Sequence, residues 1–212
     1  MRLDQISTFS SYPAVAAFVR DHVSMQRGDI RDILRLPLPR QKMTHGCNLA
    51  AASLLCGFIS GISVSIHRPP KKVGSGHAFK LLLEHFFPWP AGQQAKVGAK
   101  LIYDLFRNPL AHALAVPRKS AGQITINRIR FRSRSGKIQH TGLTSRQLGA
   151  LDDLRRRPTW AHPTLAGSPG SWTLLVEGFY RDVLEMLAKL GNDSAQLTAA
   201  ENRFAAGKFI WR

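Results

Sequence analysis

The sequence predicts a mainly α-helical protein, a helical bundle with one inserted β-hairpin at about residues 123–139. Apolar residues recur at helical spacing along most of the chain, prolines and glycines stand where those patterns stop, and alternation with period two is confined to the hairpin segment. The chain has 212 residues, of which 44% are hydrophobic, which is enough for one core. We therefore expect one domain over residues 1–191 and a tail of uncertain order at 192–212.

The first third of the chain predicts two helices. The first covers about residues 13–26, because Pro13 suits a first helical turn and Gly28 stands just after the apolar stripe. The second covers about residues 46–66, where small residues dominate and a Pro-Pro pair follows.

Residues 46–66 carry no formal charge, so their length would also suit a membrane span. The segment contains Asn48, several serines and three glycines, whereas a lone span is normally rich in leucine. Basic residues flank both ends, so the distribution of charge assigns no orientation in a membrane. We expect a buried central helix and no membrane partner, with a span as the alternative.

Two further helices lead into the middle of the chain. Residues 76–87 place phenylalanines and leucines at helical spacing and end at a Pro-Trp-Pro sequence. The next helix begins near residue 93, and its apolar residues follow at four-residue intervals from Val97 to Leu105. This helix delivers the chain directly to Arg107.

A change to period two begins at residue 123, where Ile124 and Ile126 suit a strand and Ser135-Gly136 suits a turn. The basic residues of the predicted hairpin are expected to bind nucleic acid: Arg128, Arg130, Arg132, Arg134 and Lys137. A merely solvated strand face is the alternative. Residues 105–140 contain eight lysines or arginines and no acidic residue, which favours a surface that follows phosphates.

The last third of the chain predicts two more helices. Thr144 and Gln147 have the spacing of a capping box for a short helix that must stop before Pro158. Residues 158–170 are expected to form a loop. After Ser171 one long apolar stripe predicts a helix that runs to Gly191.

The net charge of +17 and the isoelectric point of about 11.1 indicate a polyanionic partner. Nucleic acid, and RNA in particular, is the first expectation. An anionic membrane surface comes second, and an acidic protein partner such as an antitoxin comes third.

The two cysteines predict neither a disulfide nor a metal site. Cys47 and Cys56 are nine residues apart in a predicted helix, so they lie on opposite faces and cannot bridge. His45 and Cys47 have no second pair of ligands in register, whereas a structural zinc site needs four. We expect no metal or cofactor and a cytoplasmic location, where thiols stay reduced.

The sequence Arg107-Asn108-Pro109-Leu110-Ala111-His112 is the candidate active-site segment. A histidine with a pKa near ~6.5 can give or take a proton at neutral pH. An arginine offers a planar fork of donors for phosphate oxygens. We therefore expect His112 to act as an acid or base and Arg107 to hold the phosphate in chemistry on a phosphate ester.

Geometry leaves two alternatives for this segment. On a straight helix Arg107 and His112 lie about 140° apart, whereas Asn108 and His112 share one face. Pro109 either kinks a continuous helix or begins a new helix with Asn108 as its N-cap, which would make Asn108 structural. His112 is then either an acid-base group or a partly buried histidine beside a kink.

The segment resembles the signature of the HEPN (higher eukaryotes and prokaryotes nucleotide-binding) superfamily: arginine, a polar residue, a short interval and histidine on a helix of a small bundle. Arg107, Asn108 and His112 match these positions, and the compatible helix order covers about residues 45–190. The resemblance implies a metal-independent endoribonuclease that cleaves RNA by attack of the 2′-hydroxyl on the adjacent phosphate, at a homodimer interface. Other members of this superfamily only bind nucleotides or partners.

Overall fold

The computed structural model confirms the mainly α-helical class, with a small β component. It describes residues 7–37, 47–67, 74–113, 123–131, 135–137, 139, 141–168 and 170–207. Within these residues the helices pack around one core, to which all the major helices and all three strands contribute buried side chains.

The N-terminal helix is longer than predicted. After a 3-10 turn (Ser7–Ser11), α1 (Pro13–Phe18) continues through a π-helical turn (Val19–Val23) into α2 (Ser24–Arg35). Gly28 therefore lies inside a helix instead of ending one. The buried side chains of Ile30 and Leu34 extend the apolar stripe beyond the glycine, which explains why the helix continues.

The central helix is α3 (Asn48–Ser65), close to the predicted segment. It is the one helix in the described part of the chain that is long and apolar enough to cross a membrane, with a mean hydropathy of 1.5. In this fold 56% of the stretch Asn48–Ser65 is buried inside the protein, and the helix contacts α2 and other helices of the bundle.

The next helices follow the predicted order. α4 (Ser75–Phe86) packs against α3 and contacts α5 (Ala95–Leu101). From α5 the chain passes through a second π-helical turn (Ile102–Arg107) into α6 (Asn108–Ala113) without a break. The candidate active-site segment therefore lies on one continuous helix.

The strands pair differently from the predicted hairpin. β1 (Gln123–Asn127) runs parallel to β3 (Ser171–Leu175), and β2 (Leu165–Ser168) is antiparallel to β3 on its other side. Among the described residues of the predicted hairpin, one backbone hydrogen bond, from Gln139 N to Phe131 O at 2.7 Å, joins its two halves. The start of the predicted last helix is thus a strand, and part of the predicted 158–170 loop is another.

The C-terminal part of the domain is built from three helices. The predicted capping box is confirmed: the Thr144 hydroxyl accepts from Gln147 N at the start of α7 (Ser145–Asp152). α8 (Val176–Leu190) is a core helix, and α9 (Ser194–Ala205) lies in the segment that we expected to be a tail. α9 packs on α1, and the Glu201 carboxylate accepts from the backbone N–H groups of Ala14 and Val15 at 3.0 Å each.

Candidate functional site

Arg107 is half-buried and packs towards α3. Its Nε lies 3.5 Å from the Ser60 hydroxyl, and its guanidinium carbon lies 5.4 Å from the centroid of the Tyr103 ring. The Ser60 hydroxyl in turn donates to the Cys56 carbonyl at 2.9 Å. Arg107 therefore has a polar contact and an aromatic contact before any ligand is bound.

Pro109 lies inside a continuous helix. Asn108 has helical backbone angles, φ −66° and ψ −48°, so it is not the N-cap of a new helix. A proline removes the N–H that would bond to the carbonyl four residues earlier and crowds that carbonyl. The π-helical turn Ile102–Arg107 lies directly before Asn108, and its wider hydrogen-bond pattern accommodates this mismatch.

Asn108 and His112 are exposed and lie one turn apart on α6. No hydrogen bond or ring contact between described residues joins His112 to Arg107. The structure thus brings Asn108 and His112 to one face and directs Arg107 to Ser60 and Tyr103. The predicted offset around the helix axis explains this separation.

Lys80 is a second cation at this site that the sequence analysis missed. Its Nζ lies 5.0 Å from the centroid of the Tyr103 ring, which Arg107 also contacts. Gly76 allows this packing, because a Cβ there would lie 2.2 Å from the Tyr103 hydroxyl oxygen. Lys80 comes from α4 and Arg107 from the helix that follows α5, so no local pattern could connect them.

The predicted arginine face needs a correction, because Arg128 is buried at 5% exposure. Its Nε donates to Glu177 Oε1 at 2.8 Å and its Nη2 donates to the Leu34 carbonyl at 2.6 Å. Arg130 and Lys137 are exposed, whereas Arg132 and Arg134 lie outside the described residues. Arg128 is therefore a structural residue and is not part of a nucleic-acid-binding face.

A groove of about 630 Å³ lies between α7 and the loop that follows it. Arg146 lies three and four residues before Gly149 and Ala150 on α7, and Asp153 follows at the C-terminus of this helix. The remaining lining residues come mostly from the loop: Gln147, Arg156, Arg157, Pro158, Thr159 and Trp160. The small side chains at positions 149 and 150 leave the floor of the groove open.

The groove is electropositive. Among the residues that line it, three are arginines and one, Asp153, is acidic. Arg155 donates from its side chain and its backbone to Asp153, which holds the pKa of that carboxyl well below its usual range. Arg146 and Arg156 are exposed and form no ion pair within the described part of the chain.

The acidic residues around the groove are engaged from inside the protein. Asp182 on α8 accepts from Arg157 and, at 2.6 Å, from the Thr164 hydroxyl. Asp152 at the end of α7 pairs with Arg27 and Arg31 of α2. These contacts neutralise the carboxylates and engage Arg157, so Arg146 and Arg156 are the cations of the groove that form no ion pair with a described residue.

The loop that forms one wall of the groove is fastened to α8. Arg181 is buried and donates to the carbonyls of Leu151 and Asp153 at 2.9 and 2.6 Å. Further along, the Trp160 ring packs edge-on against Phe131, with the centroids 5.5 Å apart. A turn held by Ala161 N and Pro158 O at 2.9 Å fixes this end of the loop. The groove is therefore formed without a ligand.

The sequence analysis also missed this groove, although the sequence contains a pattern that could have indicated it. Three consecutive arginines, 155–157, are followed three residues later by Trp160. A cluster of cations beside an aromatic residue is typical of surfaces that bind single-stranded nucleic acid. The sequence could not show that the segment curves around a concave space.

The cysteines do not contribute a reactive group to either site. Both are free, Cys47 exposed and Cys56 buried. Burial raises the pKa of the Cys56 thiol to about 12, against the smaller opposing effect of Arg107. Within the described ranges no group of three or more histidine, cysteine, aspartate or glutamate side chains could hold a metal ion.

No protein-family model matches the chain, and neither a curated protein nor a solved structure matches it significantly. Its function is therefore inferred from the residues and contacts above.

Proposed function

We propose that this protein is a basic helical module that binds RNA in the groove between α7 and the loop after it. The observation that carries the proposal is the convergence of Arg146 and Arg156 on a concave surface that also presents Trp160. Arginine forks match phosphate geometry, and cations that neutralise phosphates release counterions, which favours binding of a polyanion. The net charge of +17 adds long-range attraction for the same ligand.

An acidic protein would be attracted by the same charge, but the aromatic wall favours RNA. A tryptophan beside arginines offers a flat surface for a base and donors for the adjacent phosphate. The carboxylates of an acidic protein segment would pair with the arginines but would not stack on the Trp160 ring. Competition by polyglutamate and by RNA of equal charge therefore separates the two partners.

The test is binding of a fluorescent 12-nucleotide RNA, measured by anisotropy over a range of salt concentrations. Arg146→Glu and Arg156→Glu should each weaken binding and lower the slope of log affinity against log salt by about 0.7 for each lost phosphate contact on a single strand. Lys189→Glu makes the same charge change at an exposed position near the end of α8 and serves as the control.

Three results would contradict this proposal. The RNA fails to bind, or the groove variants weaken binding no more than Lys189→Glu. In the third, polyglutamate displaces RNA at equal charge concentration, which would point to an acidic protein partner.

A metal-independent ribonuclease activity at the Arg107 segment is the second candidate function. The observation that favours it is that Lys80 and Arg107 both contact the Tyr103 ring. The helix that carries Tyr103 and Arg107 continues into α6, where Asn108 and His112 are exposed. Two cations there could neutralise a phosphate, while His112 moves a proton to or from the 2′-hydroxyl or the leaving oxygen. Asn108 would orient the ribose or phosphate, as the HEPN resemblance implies, and a second copy of the chain would complete the site.

Cleavage of labelled RNA in EDTA tests this second function. His112→Ala should abolish cleavage and leave RNA affinity unchanged, whereas His162→Ala, at another exposed histidine, should leave both unchanged. Equal cleavage by wild type and His112→Ala, or cleavage by neither, would count against the ribonuclease. Binding at the groove would still stand in that case, because its variants are separate.

A further inference from the structure

We infer that the groove takes single-stranded RNA rather than a duplex, with one base against Trp160 and the neighbouring phosphates on Arg146 and Arg156. The inference rests on the proposed function and names the substrate class of the same site. Five properties of the groove carry it: its shape, its floor, its aromatic wall, its cations and its prior rigidity.

The shape of the groove suits a strand that enters it. Its volume of about 630 Å³ lies within the range of roughly 300–1,000 Å³ in which proteins enclose small ligands, so it can admit a nucleotide unit. Proteins that bind a duplex instead lay a helix or ribbon into a groove of the nucleic acid, or cover a broad surface. A duplex can touch only the rim of a concave site, whereas a single strand can place a base inside it.

The floor of the groove is open because of two small residues. Gly149 and Ala150 stand on the α7 face between Arg146 and Asp153. A Cβ added at Gly149 would meet no atom within 4 Å. The absence of larger side chains there leaves space in a groove that Arg146 also lines, and a base attached to a bound phosphate could enter this space.

Trp160 provides the aromatic wall. Its ring is half-buried, and Phe131 contacts it at an interplanar angle of 68°, so the two rings are not stacked in parallel. Stacking of a base on an aromatic side chain requires an unpaired base. A base in a duplex is already stacked on its neighbours and cannot reach this ring.

The cations of the groove come from two elements. Arg146 belongs to α7, and Arg156 belongs to the loop after it. Neither forms an ion pair with a described residue, so no internal bond has to break when a phosphate binds. Arg157, by contrast, is paired with the buried Asp182 and holds the loop in place.

Prior rigidity reduces the entropic cost of binding. Arg181 fixes the start of the loop through two backbone carbonyls, and the 158–161 turn fixes its end. Side chains and backbone that are already ordered lose little freedom when a ligand arrives. The backbone that carries Arg156 and Trp160 is therefore ordered before a ligand binds.

The deciding experiment compares ligands of equal length on the full chain, with the duplex carrying twice the charge of a single strand. Single-stranded 12-nucleotide RNA should bind at least about tenfold more tightly than duplex RNA of the same length. An abasic 12-mer keeps every phosphate and lacks bases, and it should bind roughly 5- to 150-fold more weakly than the RNA strand, the range expected for the loss of a stacked base. Single-stranded DNA forms a further arm that measures the preference for ribose.

Protein variants provide the matched controls. Trp160→Leu should lower affinity for the RNA strand to that of the abasic strand, and Trp160→Phe should keep most of it, because phenylalanine can still stack. Gly149→Leu fills the groove at unchanged charge and should also abolish the preference for a single strand. Gly57→Leu places the same side chain in open space at an exposed position of α3 and should leave binding unchanged.

The outcomes separate this inference from the proposed function. If duplex and abasic strands bind as tightly as RNA while Arg146→Glu still weakens all of them, the groove binds phosphates only and the single-strand inference fails. If no nucleic acid binds, the proposed function fails as well. If Trp160→Leu does not fold, the comparison of ligands on the wild-type protein decides the matter by itself.

Discussion

Arg128 and Glu177 form an ion pair in the protein interior, with Nε and Oε1 2.8 Å apart and side chains that are 2% and 0% exposed. The second carboxylate oxygen of Glu177 accepts from the backbone N–H of Ile129 at 3.0 Å. A guanidinium nitrogen of Arg128 donates to the Leu34 carbonyl at the end of α2. The pair therefore joins the end of β1, the start of α8 and the end of α2.

Arg128→Met should lower the free energy of unfolding by about 3–5 kcal/mol, because it leaves the Glu177 carboxylate buried without a counter-charge. Arg130→Met makes the same substitution at an exposed arginine two residues later, and its free energy of unfolding should stay within about 0.5 kcal/mol of wild type. Chemical denaturation followed by circular dichroism measures both. Similar effects of the two substitutions would contradict the buried pair.

Gly178 and Gly149 are both helical glycines with opposite surroundings. A Cβ at Gly178 would lie 2.3 Å from the His162 carbonyl oxygen, whereas one at Gly149 would meet nothing within 4 Å. Gly178→Ala should therefore cost about 1–3 kcal/mol through overpacking. Gly149→Ala should stabilise by about 0.5–1 kcal/mol, since alanine favours the helix. Thermal and urea unfolding of the two variants should give shifts of opposite sign.

Glu201 connects the C-terminal helix to the N-terminal one. Its carboxylate accepts from two backbone N–H groups at the start of α1, where no side chain of α1 acts as a cap. Glu201→Ala should cost about 0.5–2 kcal/mol, the usual value of an N-cap. Asn202→Ala, at the exposed neighbouring position, should have little effect. Equal urea midpoints for the two variants would show that the cap contributes nothing to stability.

His67 should make stability depend on pH. Burial lowers the pKa of His67 from 6.5 to about 4, the neighbouring His85 acts in the same direction, and Asp193 opposes both. Between pH 6.5 and about pH 4 the unfolded chain binds more protons than the folded protein. The contribution of His67 to the free energy of unfolding is therefore complete above pH 6.5 and is lost as the pH falls towards 4. For one group the slope is at most about 1.4 kcal/mol per pH unit.

His67→Leu removes the titrating ring and its buried Nδ1, which has no hydrogen-bond partner. The variant should be close to wild type in stability at pH 7.5 and relatively more stable at pH 4.5. Urea unfolding at several pH values measures the difference. Parallel curves for the two proteins would show that His67 does not cause the pH dependence.

Local patterns were sufficient for most helices. The capping box at Thr144 and Gln147 forms as predicted, and residues 48–65 form the expected central helix. Both depend on residues within a few turns of each other, which a sequence displays directly. The predicted end of the first helix was wrong, because burying Ile30 and Leu34 stabilises the helix by more than Gly28 destabilises it.

Strand pairing depended on distant partners. Residues 172–176 fit a helical stripe, yet β3 forms because it pairs with β1, whose Thr125 hydroxyl lies 2.7 Å from that of Thr173. In the same way the alternation at 128–134 predicted exposed arginines, and Glu177 turned Arg128 inwards. The two partners are 49 residues apart, which no local period reveals.

The candidate sites show the same division. Composition and local patterns were enough to predict the strong positive charge and most of the helices, and to place the Arg107 segment at the end of one. Contacts between distant residues direct Arg107 to Ser60 while Asn108 and His112 are exposed, and they bring Arg146, Arg156 and Trp160 to one groove. Periodicity reports how a helix repeats, whereas exposure and charge pairing are set by neighbours in space, and here those neighbours are mostly tens of residues away along the chain.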